Sequence, residues 1–126
     1  MKRKLSLLLL LGALSLQGAY AADPINQGVT LISNANNSGM FIVNPSNPST
    51  VCWGTDNDFP QNALRAFTAS QLNNDFKKCN DGYNEFGVVM QGAATGIKYP
   101  PIVIRPGQTC TVNYNFFKGG FYFTCS

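Results

Sequence analysis

The chain of 126 residues contains no histidine. Without an imidazole, the Ser-His-Asp and Cys-His nucleophilic systems cannot be built in their usual form. Zinc sites that use histidine are excluded for the same reason. There is no Cys-x-x-Cys pair, and the four cysteines are too widely spaced to suggest a Cys₄ zinc site. No Ser-x-x-Lys is present to supply a lysine base. Glutamate occurs once, as Glu85, so a glycosidase-like carboxylate pair would have to join Glu85 to Asp56, Asp58, Asp75 or Asp81. Nothing in the sequence fixes the separation of such a pair, and carboxylates in polar turns are ordinarily solvated. Enzymatic activity is not expected, and neither is a cofactor.

Charge is also scarce. Of the nine basic residues, Lys2, Arg3 and Lys4 stand at the N-terminus, leaving six basic against six acidic residues in the remainder. A near-neutral domain lacks the basic surface that nucleic-acid binding requires. After residue 21 no apolar run approaches the roughly 20 residues of a membrane-spanning helix.

The basic start is followed by an apolar stretch from Leu5 to Leu16 and then by Gln17-Gly18-Ala19-Tyr20-Ala21. This order is that of a cleavable secretory signal peptide, with Ala19 and Ala21 marking cleavage after Ala21. The expected organisation is a signal peptide over 1–21 and a single secreted β-rich domain over 22–126. The expected location is extracellular or periplasmic, and the form of the signal suggests a bacterial exported protein. Asn36-Asn37-Ser38 is an acceptor sequon for N-glycosylation, relevant only in a eukaryotic secretory route.

An even number of cysteines in a small exported domain reads as two disulfides. Cys110 and Cys125 fall on one face of a C-terminal hairpin, near its open end. Cys79 belongs to the apolar stripe of a helix, and Cys52 stands in a strand beside Trp53. The favoured pairing is therefore Cys52–Cys79 and Cys110–Cys125.

Periodicity supplies the elements. Residues 28–33 and 40–43 read as two strands of a hairpin around the Asn36–Gly39 turn, and 44–49 as a proline-containing loop. Thr50–Trp53 is a short strand, Gly54–Pro60 is turn-rich, and 61–67 is open between helical turn and strand. Thr68 to Cys79 reads as the one helix, with a Thr68/Gln71 capping box and a stripe of Ala69, Leu72, Phe76 and Cys79. Strands follow at 85–91 and 102–104. Strict alternation on both sides of Phe117-Lys118-Gly119-Gly120 marks the last hairpin. It puts Phe116, Phe121 and Phe123 in the core, with Tyr122 on the opposite face. The fold class is mainly β: an antiparallel sandwich, or an α+β sheet with one helix packed on it.

Pro106-Gly107-Gln108-Thr109-Cys110-Thr111-Val112 resembles a segment of Ig-like β-sandwich modules of bacterial exported proteins, in which a Pro-Gly turn leads into a strand carrying Cys. The resemblance implies a sandwich and carries over no functional residue. A helix at 68–79 is not part of that plain module.

Two aspartate-rich turns, Asp56-Asn57-Asp58 and Asn80-Asp81-Gly82, offer oxygen ligands without the spacing of an EF-hand, and Asx residues are ordinary in turns. No metal site is expected. The aromatic residues are more suggestive. Trp53, Tyr99, Phe117 and Tyr122 are the candidate binding residues, because rings on an open face stack on sugars or anchor a protein partner. The expected function is that of a non-catalytic binding protein for a host, envelope or glycan partner. A small carboxylate-based hydrolase or toxin and a structural subunit of a surface assembly are the alternatives.

Overall fold

Every second residue of Val29–Ser33 (β1) is buried, with Leu31 fully inside. Such a pattern needs an apolar layer on one side only. That layer is a second sheet. The computed structural model describes residues 23–126, which form two open four-stranded sheets packed face to face. The signal peptide expected over 1–21, with its expected cleavage after Ala21, lies outside the described residues.

The remaining strands are Ser38–Asn44 (β2), Asn47–Phe59 (β3), Leu64–Phe67 (β4), Phe86–Gly92 (β5), Ile102–Ile104 (β6), Thr109–Asn115 (β7) and Gly120–Cys125 (β8). One sheet has the order β4-β1-β7-β8 and the other β3-β2-β5-β6. All neighbours are antiparallel except β1 and β7, which run parallel with Leu31 opposite Cys110. Between the sheets lie Leu31, Met40, Ile42, Phe59, Phe86, Val88, Met90, Ile104 and Val112.

β1 and β2 do not form the expected hairpin, since they belong to different sheets. β1 has both edges occupied, by β4 and β7, and where it ends the Ser33 and Asn34 amides donate to Ala63 O and Val112 O. With no free edge beside β1, the chain crosses to the other layer. The hairpin forms one step later. Asn44 pairs with Asn47 around Pro45-Ser46, and the Ser46 amide donates to Asn44 Oδ1 at 2.8 Å. Residues 47–49, expected in a loop, and the turn-rich stretch from Gly54 are instead parts of the long β3. Pro48 is tolerated because β3 is an edge strand, where a missing N–H costs no ladder bond.

β3 carries a bulge of consequence. Val43 pairs with Val51 and Ile42 with Trp53, so Cys52 is the extra residue. A bulge re-aims side chains, and here the consecutive residues Cys52 and Trp53 both pack against the core.

The helix is shorter than expected. It covers Ala69–Asn73 (α1), and a separate 3₁₀ turn spans Lys77–Cys79. The capping box is present: the Gln71 amide donates to Thr68 Oγ1 and the Thr68 amide to Gln71 Oε1. The break follows from Asn73 and Asn74, whose side chains compete for backbone partners. Asn73 exchanges two hydrogen bonds with the Ile25 backbone, and Asn74 Nδ2 donates to Ser70 O. Leu72, Phe76 and Cys79 are nevertheless all buried, so the apolar stripe survives the break.

Both disulfides are the expected ones, Cys52–Cys79 and Cys110–Cys125. The first ties the 3₁₀ turn to β3. The second joins directly opposed residues of β7 and β8. Thr109 and Ser126 exchange both backbone hydrogen bonds, so Cys110 and Cys125 form the next, non-hydrogen-bonded pair, where side chains approach most closely.

Phe116 departs from the expected core position. Alternation stops at Asn115, whose side chain accepts from the Phe117 amide and starts a 3₁₀ turn over Phe116–Lys118. The turn rotates Phe116 out to 76 % exposure. Phe121 and Phe123 do pack against the core.

Candidate functional site

The β7–β8 hairpin is longer than the core it covers. Cys110 and Val112 are fully buried on its inner face, and Phe123 packs on the core. One pair further along that face, Tyr114 opposite Phe121 projects past the end of the sandwich, and Tyr114 is 48 % exposed.

A third ring meets them from the other sheet. After β5 the chain makes a tight excursion, with the Gly96 amide donating to Gly92 O and the Gly92 amide to Ile97 O. Its return is pinned by the Tyr99 amide, which donates to Met90 O at 2.9 Å, and Pro100 and Pro101 hold the exit extended. Tyr99 is thereby fixed edge-on to both partners. Its ring centroid lies 5.0 Å from that of Phe121 and 6.5 Å from that of Tyr114, and Tyr114 lies 5.0 Å from Phe121. These are favourable edge-to-face separations.

The three rings border a cleft of about 310 Å³, closed on its other sides by Ala35–Ser38 and Gly92–Thr95. Asn36, Asn37, Ser38 and Thr95 supply the polar groups, and no carboxylate, lysine or arginine lines it. The Tyr99 phenol is shifted upward. Hydrogen bonding with Tyr114 raises its phenol above the ordinary value of 10.0, with desolvation and repulsion from Tyr114 acting in the same direction. The group is therefore a neutral donor and acceptor at physiological pH.

Tyr99 also borders a second groove, of about 330 Å³, on the outer face of the β3-β2-β5 layer. Phe41, Val51 and Val89 line it, and the Lys98 ammonium stands 4.8 Å from the Phe41 ring centroid.

Of the four candidate binding residues, only Tyr99 lies in the cleft. Trp53 packs edge-on against Phe67, centroids 5.1 Å apart, at the margin of the core. Tyr122 is half-buried opposite Asn113, with Lys118 Nζ 4.9 Å from its ring centroid. Phe117 is 94 % exposed at the hairpin tip. Tyr114 and Phe121 were absent from the sequence candidates. Alternation puts them on one face, but only the fold shows that this face runs beyond the core.

The carboxylates have local roles. Glu85 is hydrogen-bonded to the Arg105 guanidinium. Asp81 accepts from the Tyr83 and Glu85 amides, and Asn80 from the Gly82 and Asn84 amides, so this turn spends its oxygens on its own backbone. The Asp56-Asn57-Asp58 ligand set rests in part on side chains outside those described. Among the described residues, no group of three or more His, Cys, Asp or Glu side chains is placed to hold a metal ion.

No protein-family model matches the chain, and no curated protein or solved structure is detectably similar to it.

Proposed function

We propose that the chain is an exported binding protein without catalytic activity, whose contact site is the Tyr99–Tyr114–Phe121 cleft and whose ligand is a neutral glycan. The observation that carries this reading is the composition of the cleft. Three fixed aromatic rings offer apolar faces and edges, while Asn36, Asn37 and Thr95 offer amide and hydroxyl groups. A sugar ring has a complementary division, with C–H groups on its faces and hydroxyls on its rim. The volume falls at the small end of ligand sites, which span roughly 300–1,000 Å³. Two disulfides fit an oxidising compartment, and no helix among the described residues is long and apolar enough to cross a membrane. Both support secretion or export to a periplasm.

The test is a neutral-oligosaccharide array followed by calorimetry on Tyr99→Ala and Tyr114→Ala. Binding should fall by about tenfold or more in each, as for a central interface aromatic. Unchanged affinity in both variants would remove the cleft from the function. Products of cleavage in the same incubations would replace the binding reading with a hydrolase.

A further inference from the structure

The β7–β8 tip presents two large apolar rings to water. Phe116 is 76 % and Phe117 94 % exposed, with centroids 5.7 Å apart. Such exposure contributes nothing to the fold. It is also held in place. Asn115 Oδ1 accepts from the Phe117 amide at 2.9 Å, the Gly119 amide donates to Phe116 O at 3.2 Å, and Gly119 closes the turn at φ 88°. The Cys110–Cys125 disulfide clamps the other end of the hairpin.

The tip itself carries Lys118 and no acidic residue. Residues 34–38, 92–101 and 113–123 at that end of the sandwich contain Lys98 and Lys118 and no acidic residue, while β3, whose Phe59 pairs with Ser38, brings Asp58 to the same end. The Asp58 carboxylate is 3.8 Å from the Arg65 guanidinium. Asp23, Asp81 and Glu85 lie together at the opposite end, joined through Asn84 Nδ2 to Asp23 O and the Asp81 amide to Glu85 O, with Lys77 and Arg105 beside them. Ile97, 55 % exposed, adds apolar surface on the side of Lys98.

From this placement we propose that the Phe116–Phe117 tip is a membrane-docking wedge that inserts both rings into the interface of an anionic bilayer while Lys118 reaches its phosphates. The feature is a projection, and a fluid headgroup layer yields to such a shape. Aromatic rings and a snorkelling lysine are the side chains that lodge at the boundary of headgroups and acyl chains. Lys118 is the only charge between Thr109 and Ser126, and a single cation near an anionic surface contributes about 1 kcal/mol, or roughly fivefold. The site uses residues outside the Tyr99 cleft and stands independently of the glycan reading.

The experiment is co-sedimentation of the purified protein with phosphatidylcholine vesicles, with and without phosphatidylglycerol, at low and high salt. The wild type should partition onto the anionic vesicles, and high salt should weaken that partitioning by no more than about fivefold, the share carried by Lys118. Partitioning should fall by about tenfold or more in Phe116→Ser/Phe117→Ser, since burial of each ring is the main driving term, and by roughly fivefold in Lys118→Gln. Tyr99→Ala should partition like the wild type, and the double serine variant should unfold like it. A wild type that stays in the supernatant with both vesicles, or a double variant that partitions equally, would overturn the proposal. Loss of a concentration-dependent dimer in the double variant, without vesicle binding by the wild type, would reassign the tip to contact between copies and overturn it as well.

Discussion

The ring of Tyr99 rests on the backbone of Gly120. A Cβ built at position 120 would come within 2.4 Å of that ring, and Gly120 itself has φ 115°, a conformation that side-chain-bearing residues rarely adopt. A loop of one sheet is thus seated on a hairpin of the other through the absence of a methyl group.

Gly120→Ala should therefore destabilise the fold by more than about 1 kcal/mol, the penalty expected where the native φ is incompatible with a side chain. It should also displace Tyr99 and weaken cleft binding. Gly119→Ala is the control. It has φ 88° but nothing within 4 Å of a new Cβ, so it carries backbone strain alone. Urea unfolding and ligand titration of the two variants would separate strain from ring displacement. Equal binding losses in both would dissociate Gly120 from the placement of Tyr99.

Removing either disulfide should be costly, and the two should differ slightly. The bridges span 27 and 15 residues in sequence. Chain entropy then gives about 3.5 kcal/mol for Cys52–Cys79 and about 3 kcal/mol for Cys110–Cys125. Denaturant midpoints of the paired Cys→Ser variants would measure this. Thiol titration of the unreduced wild type should find no free cysteine.

Glu85→Gln should leave glycan binding unchanged and cost less than about 1 kcal/mol of stability. The Glu85–Arg105 pair is partly exposed, with side chains 25 % and 56 % accessible, and such ion pairs contribute little. Calorimetry and thermal unfolding would check both expectations. Abolished activity with unchanged unfolding would favour carboxylate chemistry.

Alkaline titration followed by phenolate absorbance should show one tyrosine ionising above the ordinary value, and Tyr114→Phe should return it toward 10. The sign of the coupled stability follows. A phenol whose folded value is raised stays neutral in the native state while the unfolded chain already ionises. Its contribution is fully present below about pH 10 and is lost as the pH rises through the folded value. Tyr99→Phe should flatten that part of the stability profile.

Much of the scaffold was legible because local chemistry and tertiary need agree there. The Cys110–Cys125 bridge follows from alternation around a glycine-rich tip, and Cys79 faces inward because Leu72 and Phe76 do. Thr68 and Gln71 cap the helix as their spacing requires. The failures share a cause, the dependence of local structure on distant partners. Whether Met40 pairs back onto Leu31 depends on β7, some 70 residues onward, having filled the edge of β1. Pro48 excludes a central strand but not an edge strand, and the sequence does not say which position β3 takes. Asn73 ends the helix by bonding to Ile25, a residue with no sequence relation to it. The cleft was half legible: Tyr99 stands out beside two prolines, whereas Tyr114 and Phe121 look like core until the length of the hairpin is set against the core beneath it.

The parallel pairing of β1 with β7 governs the order in which the chain can mature. β1 takes neighbours from Leu64–Phe67 and Thr109–Val112, so it has no complete seat until residues 109–112 have been made. Closure over such separations is slow. By contrast, β2 and β3 join through a two-residue turn and can zip at once. The β3-β2-β5-β6 layer is thus the natural early unit. The layer holding β1 condenses on it last, with β7 acting as the closing stave. A chain shortened before residue 109 should retain the first hairpin but remain open and susceptible to proteases along β1, a difference that limited proteolysis would display directly.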